Sequence, residues 1–400
     1  MNPLHLSAYT VTSCLGRGLA PTRMALRSAA SGLKPCDFET VDLATFVGEI
    51  EGVDAHRIPA RLARFDCRNN RAGDLGLVQD GFIAAVEAAI ARHGAGRIGV
   101  FMGTSTAGIL QTEQAYRRRA AGDGALPEDF DYRHTHNTFS IAEYVRARLG
   151  LEGPCSAIST ACSSSAKAFA TAARLIHAGF IDAAVVGGVD TLCLTTLYGF
   201  NSLQLLSAEP CRPYDTARDG ISIGEAAAFA LLERARDDAP EGAIALLGSG
   251  ESCDAHHMSA PHPEGLGARL AMEAALAASG LEARAIDYVN LHGTGTPSND
   301  AAEDKAVHGL FGERVACSST KGLTGHALGA AGAVEALLAV LALEDQHVPG
   351  SPGTRTVDPQ LRANYQVKGS PQPLARVMSN SFGFGGSNCS LVFGRLQHAR

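Results

Sequence analysis

The chain has 400 residues, 46% of them apolar and 19% charged, and its 34 Lys and Arg against 41 Asp and Glu give a formal charge of −7. This is the composition of a folded globular protein with two to three domains or one large duplicated unit, and its mild acidity argues against nucleic-acid binding. We find no membrane-length apolar run, no signal-peptide pattern and no Cys-x-x-Cys pair among ten cysteines, so we expect a reduced, cytoplasmic protein.

Short apolar runs recur along the chain, and each is followed by an alanine-rich stretch of helical character. They are Arg97–Phe101, Ala183–Val186, Ala243–Leu247, Ile286–Leu291 and Val377–Ser381. Strands that alternate with helices predict an α/β protein with buried sheets. The most loop-like polar segment is Arg234–Glu241, and we place there the boundary between an amino-terminal half, residues 1–240, and a carboxy-terminal half, residues 241–400.

Two segments roughly 160 residues apart look alike. Ala157–Cys162 leads into an alanine-rich helix that runs to about Ala178, and Val315–Thr320 leads through a glycine-rich turn into Ala330–Leu343. Each is an apolar run, a Ser/Thr corner and a helix with little polar surface. Because such helices are usually buried, the pair predicts a duplicated fold with both helices at its centre.

Cys162 stands where a predicted strand ends and a predicted helix begins, followed by Ser163, Ser164 and Ser165. The free N–H groups at a helix N-terminus favour a thiolate and could also stabilise an oxyanion. The alternative is a small buried thiol followed by serines that cap the helix. Position alone leaves both interpretations open.

His292 follows the predicted strand Ile286–Leu291, and the chain then turns through two glycines and two threonines. Glycine lets a ligand approach the backbone closely, and the hydroxyls can hydrogen-bond to it. An ordinary loop histidine is the alternative. Asp300 and Glu303 are three residues apart and share one face if a helix starts there. The alternative is that they only cap that helix.

The pattern of strand, corner, histidine and buried helix returns at His326. A core histidine with satisfied hydrogen bonds is the alternative interpretation. Lys321 would ordinarily be a solvated surface residue. Its place between an apolar strand and a buried helix favours a buried ion pair with Asp300 or Glu303.

Asn380–Asn388 is a glycine-dense loop with two aromatic residues. Phe384 lies between Gly383 and Gly385, where the backbone could swing its ring in and out of a cavity. The alternative is a β-turn whose phenylalanine packs into the core.

Other patterns lack the context that they need. Gly220–Gly224 matches Gly-x-Ser-x-Gly but does not follow a buried strand. His134 with His136, and His256 with His257, could bind a metal, but no nearby carboxylate or cysteine completes a site. No phosphate-binding or dinucleotide-binding glycine loop is present. We therefore expect neither a metal nor a nucleotide cofactor.

The remaining set is one cysteine and two histidines at strand-to-loop corners, with a lysine, carboxylates and a hinged phenylalanine. A thiolate forms thioesters readily at neutral pH. Two imidazoles without a metal can donate hydrogen bonds to a carbonyl oxygen that becomes an enolate. Together these groups suit acyl transfer followed by carbon–carbon bond formation.

The segments that carry these residues resemble, in order, the motifs of β-ketoacyl-acyl carrier protein synthases of the Cys-His-His, or I/II, type. They are Thr160–Ser165, Arg212–Asp215, Arg218–Gly220 with Gly224–Glu225, His292–Pro297, Lys321–His326 with Gly329–Gly332, and Gly383–Gly386. The resemblance covers nearly the whole chain. It implies a thiolase-like α/β fold, in which two similar halves stack in five α-β-α-β-α layers with the nucleophile's helix buried.

The resemblance also implies roles for individual residues. Cys162 would accept the acyl chain from the phosphopantetheine of a carrier protein, and its own N–H and that of Phe384 would form the oxyanion hole. His292 and His326 would hold the malonyl thioester and stabilise the enolate formed when CO2 leaves. The phenylalanine would gate the two half-reactions. The enzyme would need no cofactor of its own, since phosphopantetheine arrives on the carrier-protein substrate.

Further positions match supporting residues of that family. Lys321, paired with Glu303, would set the electrostatics around His326. Thr294 and Thr296 match positions that hydrogen-bond to the pantetheine arm.

The chain departs from the usual pattern at several places. Lys167 replaces a histidine or apolar residue, Ser298–Asp300 stands where Gly-Asp is usual, Gly224–Ala226 lacks a second glycine, and Leu206–Cys211 is short. The Cys-Ser-Ser-Ser and His-Gly-Thr-Gly-Thr-Pro forms are closer to polyketide enzymes, and the whole resembles the small stand-alone ketosynthases of bacterial aryl polyene pathways. The departures concern the substrate and not the reaction class.

Two other classes compete with a condensing enzyme. One is a non-catalytic partner like the chain-length factor of a ketosynthase heterodimer, but such subunits lose the active cysteine. The other is a degradative thiolase, whose second catalytic cysteine would have to be Cys389, in the wrong context beside Asn388. Family members are dimers, so we expect a homodimer or a heterodimer with another ketosynthase-like subunit, an acyl carrier protein as partner, and no nucleic acid or membrane.

Overall fold

The computed structural model describes residues 1–235, 239–240 and 242–396. Its helices are α1 (Leu19–Ser28), α2 (Arg68–Leu77), α3 (Phe82–His93), α4 (Ile109–Arg117), α5 (Ser140–Leu149), α6 (Ser164–His177), α7 (Leu194–Ser202), α8 (Leu266–Ser279), α9 (Pro297–Phe311), α10 (Lys321–Thr324) and α11 (Ala331–Asp345). Its strands are β1 (Leu4–Ser13), β2 (Gly16–Arg17), β3 (Lys34–Pro35), β4 (Phe46–Gly48), β5 (Ile98–Gly103), β6 (Cys155–Ile158), β7 (Ala183–Asp190), β8 (Ile223–Gly224), β9 (Ala226–Arg234), β10 (Ile244–Cys253), β11 (Tyr288–Asn290), β12 (Ala316–Ser318), β13 (His347–Val348), β14 (Asn364–Tyr365), β15 (Ser370–Pro371), β16 (Arg376–Gly383) and β17 (Ser387–Arg395).

The main sheet contains all five strands expected from the apolar runs, as β5, β7, β10, β11 and β16. Its strands follow the order β14-β12-β11-β16-β17-β10-β1-β9-β7-β5-β6, with β2 beside β1. A short antiparallel ladder between β1 and β10, with Leu4 opposite Leu246, joins an amino-terminal part to a carboxy-terminal part. β7 is buried along its whole length, which is typical of a strand covered on both faces.

Helices cover both parts of the sheet and also fill the space between them. α2, α3 and α5 pack on the outer face of the amino-terminal part, and α8 packs on the outer face of the carboxy-terminal part, with α9 beside it. α6 and α11 contact both each other and strands of both parts. The result is the five-layer α-β-α-β-α architecture that the family resemblance implied. No helix in the described ranges combines the length and apolar character that crossing a bilayer requires.

The two central helices match the two similar segments of the sequence. From Ala331 to Leu343 every residue of α11 is buried, as expected for a helix that is apolar on nearly all sides. Small residues let the helices approach closely, because a Cβ on Gly332 would lie only 2.6 Å from the backbone nitrogen of Ala166. Ser165 Oγ accepts a hydrogen bond from the Ala333 N–H at 2.8 Å, which fixes the crossing.

The predicted boundary between the halves falls on Arg234–Glu241. Residues 236–238 and 241 of this segment lie outside the described residues, so the boundary stays a prediction.

Candidate active site

Cys162 lies on a tight turn between β6 and α6, buried at the centre of the molecule. The preceding Ala161 has φ +54°, a left-handed conformation that L-residues rarely adopt. Ser164 Oγ accepts the Thr160 N–H at 2.9 Å and donates to the Ala161 carbonyl, and Ser163 Oγ donates to the Thr160 carbonyl. The serines therefore hold the nucleophile's turn instead of capping α6, where no side-chain cap forms.

His326 contacts the thiol directly, since its Nε2 lies 3.0 Å from Sγ of Cys162. Its Nδ1 accepts the backbone N–H of Leu328 at 3.2 Å. A histidine's tautomer follows from the hydrogen bond that its other nitrogen makes, so we assign the ring proton to Nε2. The backbone of His326 is held by β8 and its flank, through the carbonyl of Ser222 at 2.7 Å and the N–H of Gly224 at 3.0 Å.

His292 follows β11 and is the second imidazole of the site, with ring centroids 5.3 Å from His326 and planes at 82°. Its Nδ1 lies 3.4 Å from Nζ of Lys321, which also donates to its carbonyl. Its ring proton is therefore also assigned to Nε2. Burial and the Lys321 charge lower the pKa of both histidines well below the ordinary value of 6.5, so both are neutral at pH 7.

The ion-pair partner of Lys321 is Glu335 of α11, and the predicted pairing with Glu303 or Asp300 is wrong. The reason is that Glu303 already accepts the N–H groups of His292 and Gly293, at 2.8 and 2.7 Å. Asp300 is likewise occupied, by backbone N–H groups at 2.8 and 3.2 Å. Burial raises the pKa of Glu303 to about 7. The two carboxylates of α9 thus shape the loop after β11 and leave the lysine to Glu335.

Glu335 is the functional-site residue that the sequence reasoning missed. It is the one charged residue within the buried run Ala331–Leu343. A charge is almost never fully buried unless it is paired, so an isolated glutamate in an otherwise apolar central helix was the available signal.

The thiol of Cys162 does not have the depressed pKa that its place before a helix suggested. Burial raises the pKa to about 11, and the Lys321 ammonium and the Phe384 N–H oppose this only in part. Desolvation penalises the charged form of an acid, and here it outweighs the nearby positive charges. The resting nucleophile is a protonated thiol at neutral pH.

The loop that carries Phe384 lies against the nucleophile's turn. A Cβ on Gly383 would be 2.7 Å from the Thr160 carbonyl and 3.2 Å from the Cys162 nitrogen, so only glycine fits there. Gly385 follows with φ +80°. Phe384 is 37% exposed as a residue and lines the pocket that leads to Cys162. The alternative of a phenylalanine packed into the core is therefore wrong.

Thr294 and Thr296 line the same pocket and are nearly buried. Their hydroxyls are 2.9 Å apart, and Thr296 caps α9 by accepting the Asn299 N–H at 3.4 Å. The pocket thus brings together Cys162, both histidines, both threonines and the loop phenylalanine, while Lys321, Glu335 and Glu303 lie behind the histidines.

The ligand atoms of Cys162, His292 and His326 all lie within 4.8 Å of one another, a spacing that would also suit three ligands of one metal ion. The Lys321 ammonium beside His292 works against a further cation at this place.

The other histidine and serine patterns have structural partners. His134 pairs with Asp131 at 2.6 Å, and Ser222 Oγ accepts the Cys211 N–H at 3.0 Å. Lys167, the unusual residue on α6, lies 3.5 Å from Glu251.

Comparison with known proteins supports the assignment made from the site. Family models of the β-ketoacyl synthase N-terminal and C-terminal domains match residues 62–238 and 244–355. The 3-oxoacyl-[acyl-carrier-protein] synthase 2 of Vibrio cholerae is 34% identical over 408 residues, covering 96% of this chain and 97% of that protein.

Solved structures share the fold over the whole chain. A chain in the complex of a ketosynthase with its chain length factor from Xenorhabdus doucetiae has a TM-score of 0.89 and 38% identity, covering 99% of this chain and 98% of that one. A β-ketoacyl synthase from Burkholderia phymatum has a TM-score of 0.86 and 28% identity, covering 99% and 100%.

A thiol and two imidazoles buried at the centre of a five-layer, thiolase-like fold define an acyl-transferring, condensing enzyme. The chain belongs to the β-ketoacyl synthase family.

Proposed function

We propose that Cys162 takes an acyl group from an acyl carrier protein and that the enzyme condenses it with malonyl carrier protein, giving 3-oxoacyl carrier protein and CO2. The observation that carries this proposal is the contact of 3.0 Å between His326 Nε2 and Cys162 Sγ, beside a second imidazole that is also neutral and protonated on Nε2.

In the first half-reaction, Sγ of Cys162 attacks the acyl thioester carbonyl and the bond to the pantetheine sulfur breaks. The thiol proton leaves with the carrier protein as its free thiol, so no net charge is left behind. The tetrahedral oxyanion would be bound by the N–H groups of Cys162 and Phe384. Backbone donors that are already in place stabilise such charge without reorganisation.

In the second half-reaction, the thioester carbonyl of malonyl carrier protein would accept hydrogen bonds from Nε2–H of His292 and of His326. Loss of CO2 leaves an enolate, whose negative oxygen these two donors stabilise. The enolate carbon attacks the acyl carbonyl on Cys162, the C–S bond breaks, and the thiolate that leaves takes up one proton from solvent. Lys321 supports this chemistry through its position beside Nδ1 of His292.

The pocket residues would serve delivery of the substrate. The hydroxyls of Thr294 and Thr296 would hydrogen-bond to the amides of the pantetheine arm. Phe384 would move aside when the arm enters, because the residue is partly exposed at the pocket and glycines surround it. These roles follow the family resemblance and agree with where the side chains lie.

A chain-length-factor-like subunit is the second candidate, since one of the similar structures is a ketosynthase in complex with such a factor. Cys162, His292 and His326 are all present and converge in this chain. We therefore assign it the catalytic role and propose a dimer in which the second subunit is a copy of itself or a related chain.

The edge of the sheet supports this dimer. β6 is the last strand on the described sheet path, and all four of its residues are half-buried. An exposed strand edge pairs readily with another chain.

We place the enzyme in the cytoplasm, because its ten cysteines are free thiols and a reducing compartment keeps them so. Aryl polyene synthesis is the pathway we propose, in line with the Cys-Ser-Ser-Ser and His-Gly-Thr-Gly-Thr-Pro forms.

The test is intact-protein mass spectrometry with a panel of acyl carrier proteins, followed by malonyl carrier protein. We expect a mass gain on Cys162 that discharges into a 3-oxoacyl product two carbons longer, and no gain in Cys162→Ala. A full covalent adduct on that variant would refute the nucleophile assignment. The preferred acyl group separates fatty-acid from polyene synthesis. If no donor gives an adduct on the chain alone, while an added ketosynthase-like subunit restores it, the functional unit is the heterodimer.

A further inference from the structure

Asp190, at the end of β7, is a fully buried carboxylate that the chemistry above does not use. Its Oδ1 accepts the hydroxyls of Thr104 and Thr106, at 2.7 and 2.8 Å, and the Thr106 N–H at 2.8 Å. Its Oδ2 accepts the N–H of Ser105 at 3.0 Å and that of Ala330 at 3.2 Å. The carboxylate therefore ties the loop after β5 to the turn that precedes α11.

That turn has a strained backbone. Leu328 has φ +50°, a conformation that is rare for bulky residues. A Cβ on the next residue, Gly329, would lie 2.8 Å from Oδ2 of Asp190 and 2.8 Å from the Ser105 nitrogen. Both groups therefore press directly against the turn. A strained backbone persists only where its surroundings fix it, and Asp190 with its loop provides that constraint.

The constrained turn positions the backbone N–H of Leu328. The Leu328 N–H donates to Nδ1 of His326 at 3.2 Å, which leaves the ring proton on Nε2, 3.0 Å from Cys162 Sγ. If the turn relaxed, Nδ1 would lose its donor. The imidazole could then take the other tautomer, with no proton on the nitrogen that faces the substrate.

We propose that Asp190 is a positioning residue that fixes the tautomer of His326 through the Leu328 turn. The inference rests on the proposed role of His326 in condensation. Loss of one hydrogen-bond donor to a developing oxyanion costs about 100-fold in rate or more. Removal of the Asp190 carboxylate should therefore lower malonyl decarboxylation by about 100-fold. Self-acylation of Cys162, which uses the thiol and backbone donors, should change little.

The test variant is Asp190→Asn, which keeps the size of the side chain but can turn an N–H toward the Ala330 N–H. Thr104→Val is the matched control, because it removes a donor to Oδ1 and leaves the contact of Oδ2 with Ala330. Self-acylation of Cys162 is measured by mass spectrometry, and decarboxylation by CO2 release from malonyl carrier protein. We expect the ratio of decarboxylation to self-acylation to fall about 100-fold in the first variant and to stay constant in the second. An unchanged ratio in folded Asp190→Asn, or an equal fall in the control, overturns the proposal.

A second variant and a direct readout keep the test decisive. If Asp190→Asn does not fold, Gly329→Ala replaces it, because the added methyl separates the carboxylate from the turn. Nitrogen-15 NMR of histidine-labelled enzyme should show a protonated Nε2 and a bare Nδ1 at His326 in the native protein, and predominantly the reverse tautomer in either variant. An unchanged His326 spectrum in the variant overturns the proposal. Because this readout does not involve the reaction, it still decides on Asp190 if decarboxylation proves independent of His326 and the proposed function fails.

Discussion

The buried ion pair between Lys321 and Glu335 allows a quantitative test of how the site is held. The two side chains are 1% and 2% exposed, and the lysine also donates to the His292 carbonyl. Replacing Glu335 alone by leucine would leave an ammonium in the core with its counter-ion removed. Such a loss costs about 3–5 kcal/mol of the free energy of unfolding, because the remaining charge is desolvated and unpaired.

The double variant Lys321→Met, Glu335→Leu should cost far less. It removes both charges and fills the space with apolar groups, which is often neutral for stability. The His292 carbonyl loses one donor, worth about 1 kcal/mol. We therefore expect a net change of about 1–2 kcal/mol. The double variant should fold well and yet have lost the charge beside His292, so decarboxylation should fall.

The single variant Lys321→Met adds a pH test. Burial already raises the pKa of Glu335, and without the lysine this carboxyl binds a proton more readily in the folded than in the unfolded chain. Above the pKa that Glu335 has in the unfolded chain, the folded state then binds more protons than the unfolded state. The free energy of unfolding must therefore fall as the pH rises through the pKa that Glu335 has in the folded state. We expect Lys321→Met to be more stable at pH 5.5 than at pH 8, relative to the native protein.

The assay is urea unfolding of the native protein, the two single variants and the double variant at both pH values. Double-mutant cycles isolate the pairwise coupling. Additive losses, or a Glu335→Leu cost below about 1 kcal/mol, would show that the pair is not the buried ion pair described. Glu303→Gln is the control, since this carboxylate binds backbone N–H groups and interacts with Lys321 only at longer range. Its coupling with Lys321 should be much smaller than that of Glu335.

The remaining predictions concern the chemistry. His326→Ala should keep self-acylation but lose CO2 release from malonyl carrier protein, and normal release would refute its role. Phe384→Ala should slow condensation while costing only about 1 kcal/mol of stability, because the residue is partly exposed; an unchanged rate in a turnover assay would reject the gate. With a thiol pKa of about 11, alkylation of Cys162 by iodoacetamide should rise about tenfold per pH unit between pH 7 and pH 10. A rate that levels off near pH 7, measured against Cys162→Ala, would contradict that pKa.

Much of the site could be predicted because each catalytic group lies at a recognisable corner. Cys162, His292 and His326 each follow an apolar run that forms a strand. The neighbouring strands β11 and β12 bring the two histidine corners together. Cys162 follows β6, at the opposite end of the sheet order, and the packing of α6 against α11 brings it to the histidines. The two central helices were predictable for a similar reason, since a helix without a polar face must be buried.

The pairing of Lys321 was not predictable, because it depends on distances between segments. Glu303 is near the site, and its position in the sequence makes it as good a partner for Lys321 as Glu335 is. Only the folded chain shows that the N–H groups of His292 and Gly293 donate to its oxygens.

The pKa of Cys162 was missed for a related reason. The helix N-terminus can be seen in sequence, but the degree of desolvation that outweighs it cannot.

The strand order has a consequence for how the protein is made. β10 pairs with β1 on one side and with β17 on the other. Residues near the beginning of the chain and residues near position 390 therefore both pair with this one strand. While the ribosome is still producing the chain, β10 keeps one open edge, and the apolar α11 lacks its cover of β16. Nascent chains in this state are prone to aggregate and to need chaperones. The catalytic centre therefore comes into existence only once β16 and β17 are made, and premature termination before residue 387 should yield an insoluble product instead of a weakened enzyme.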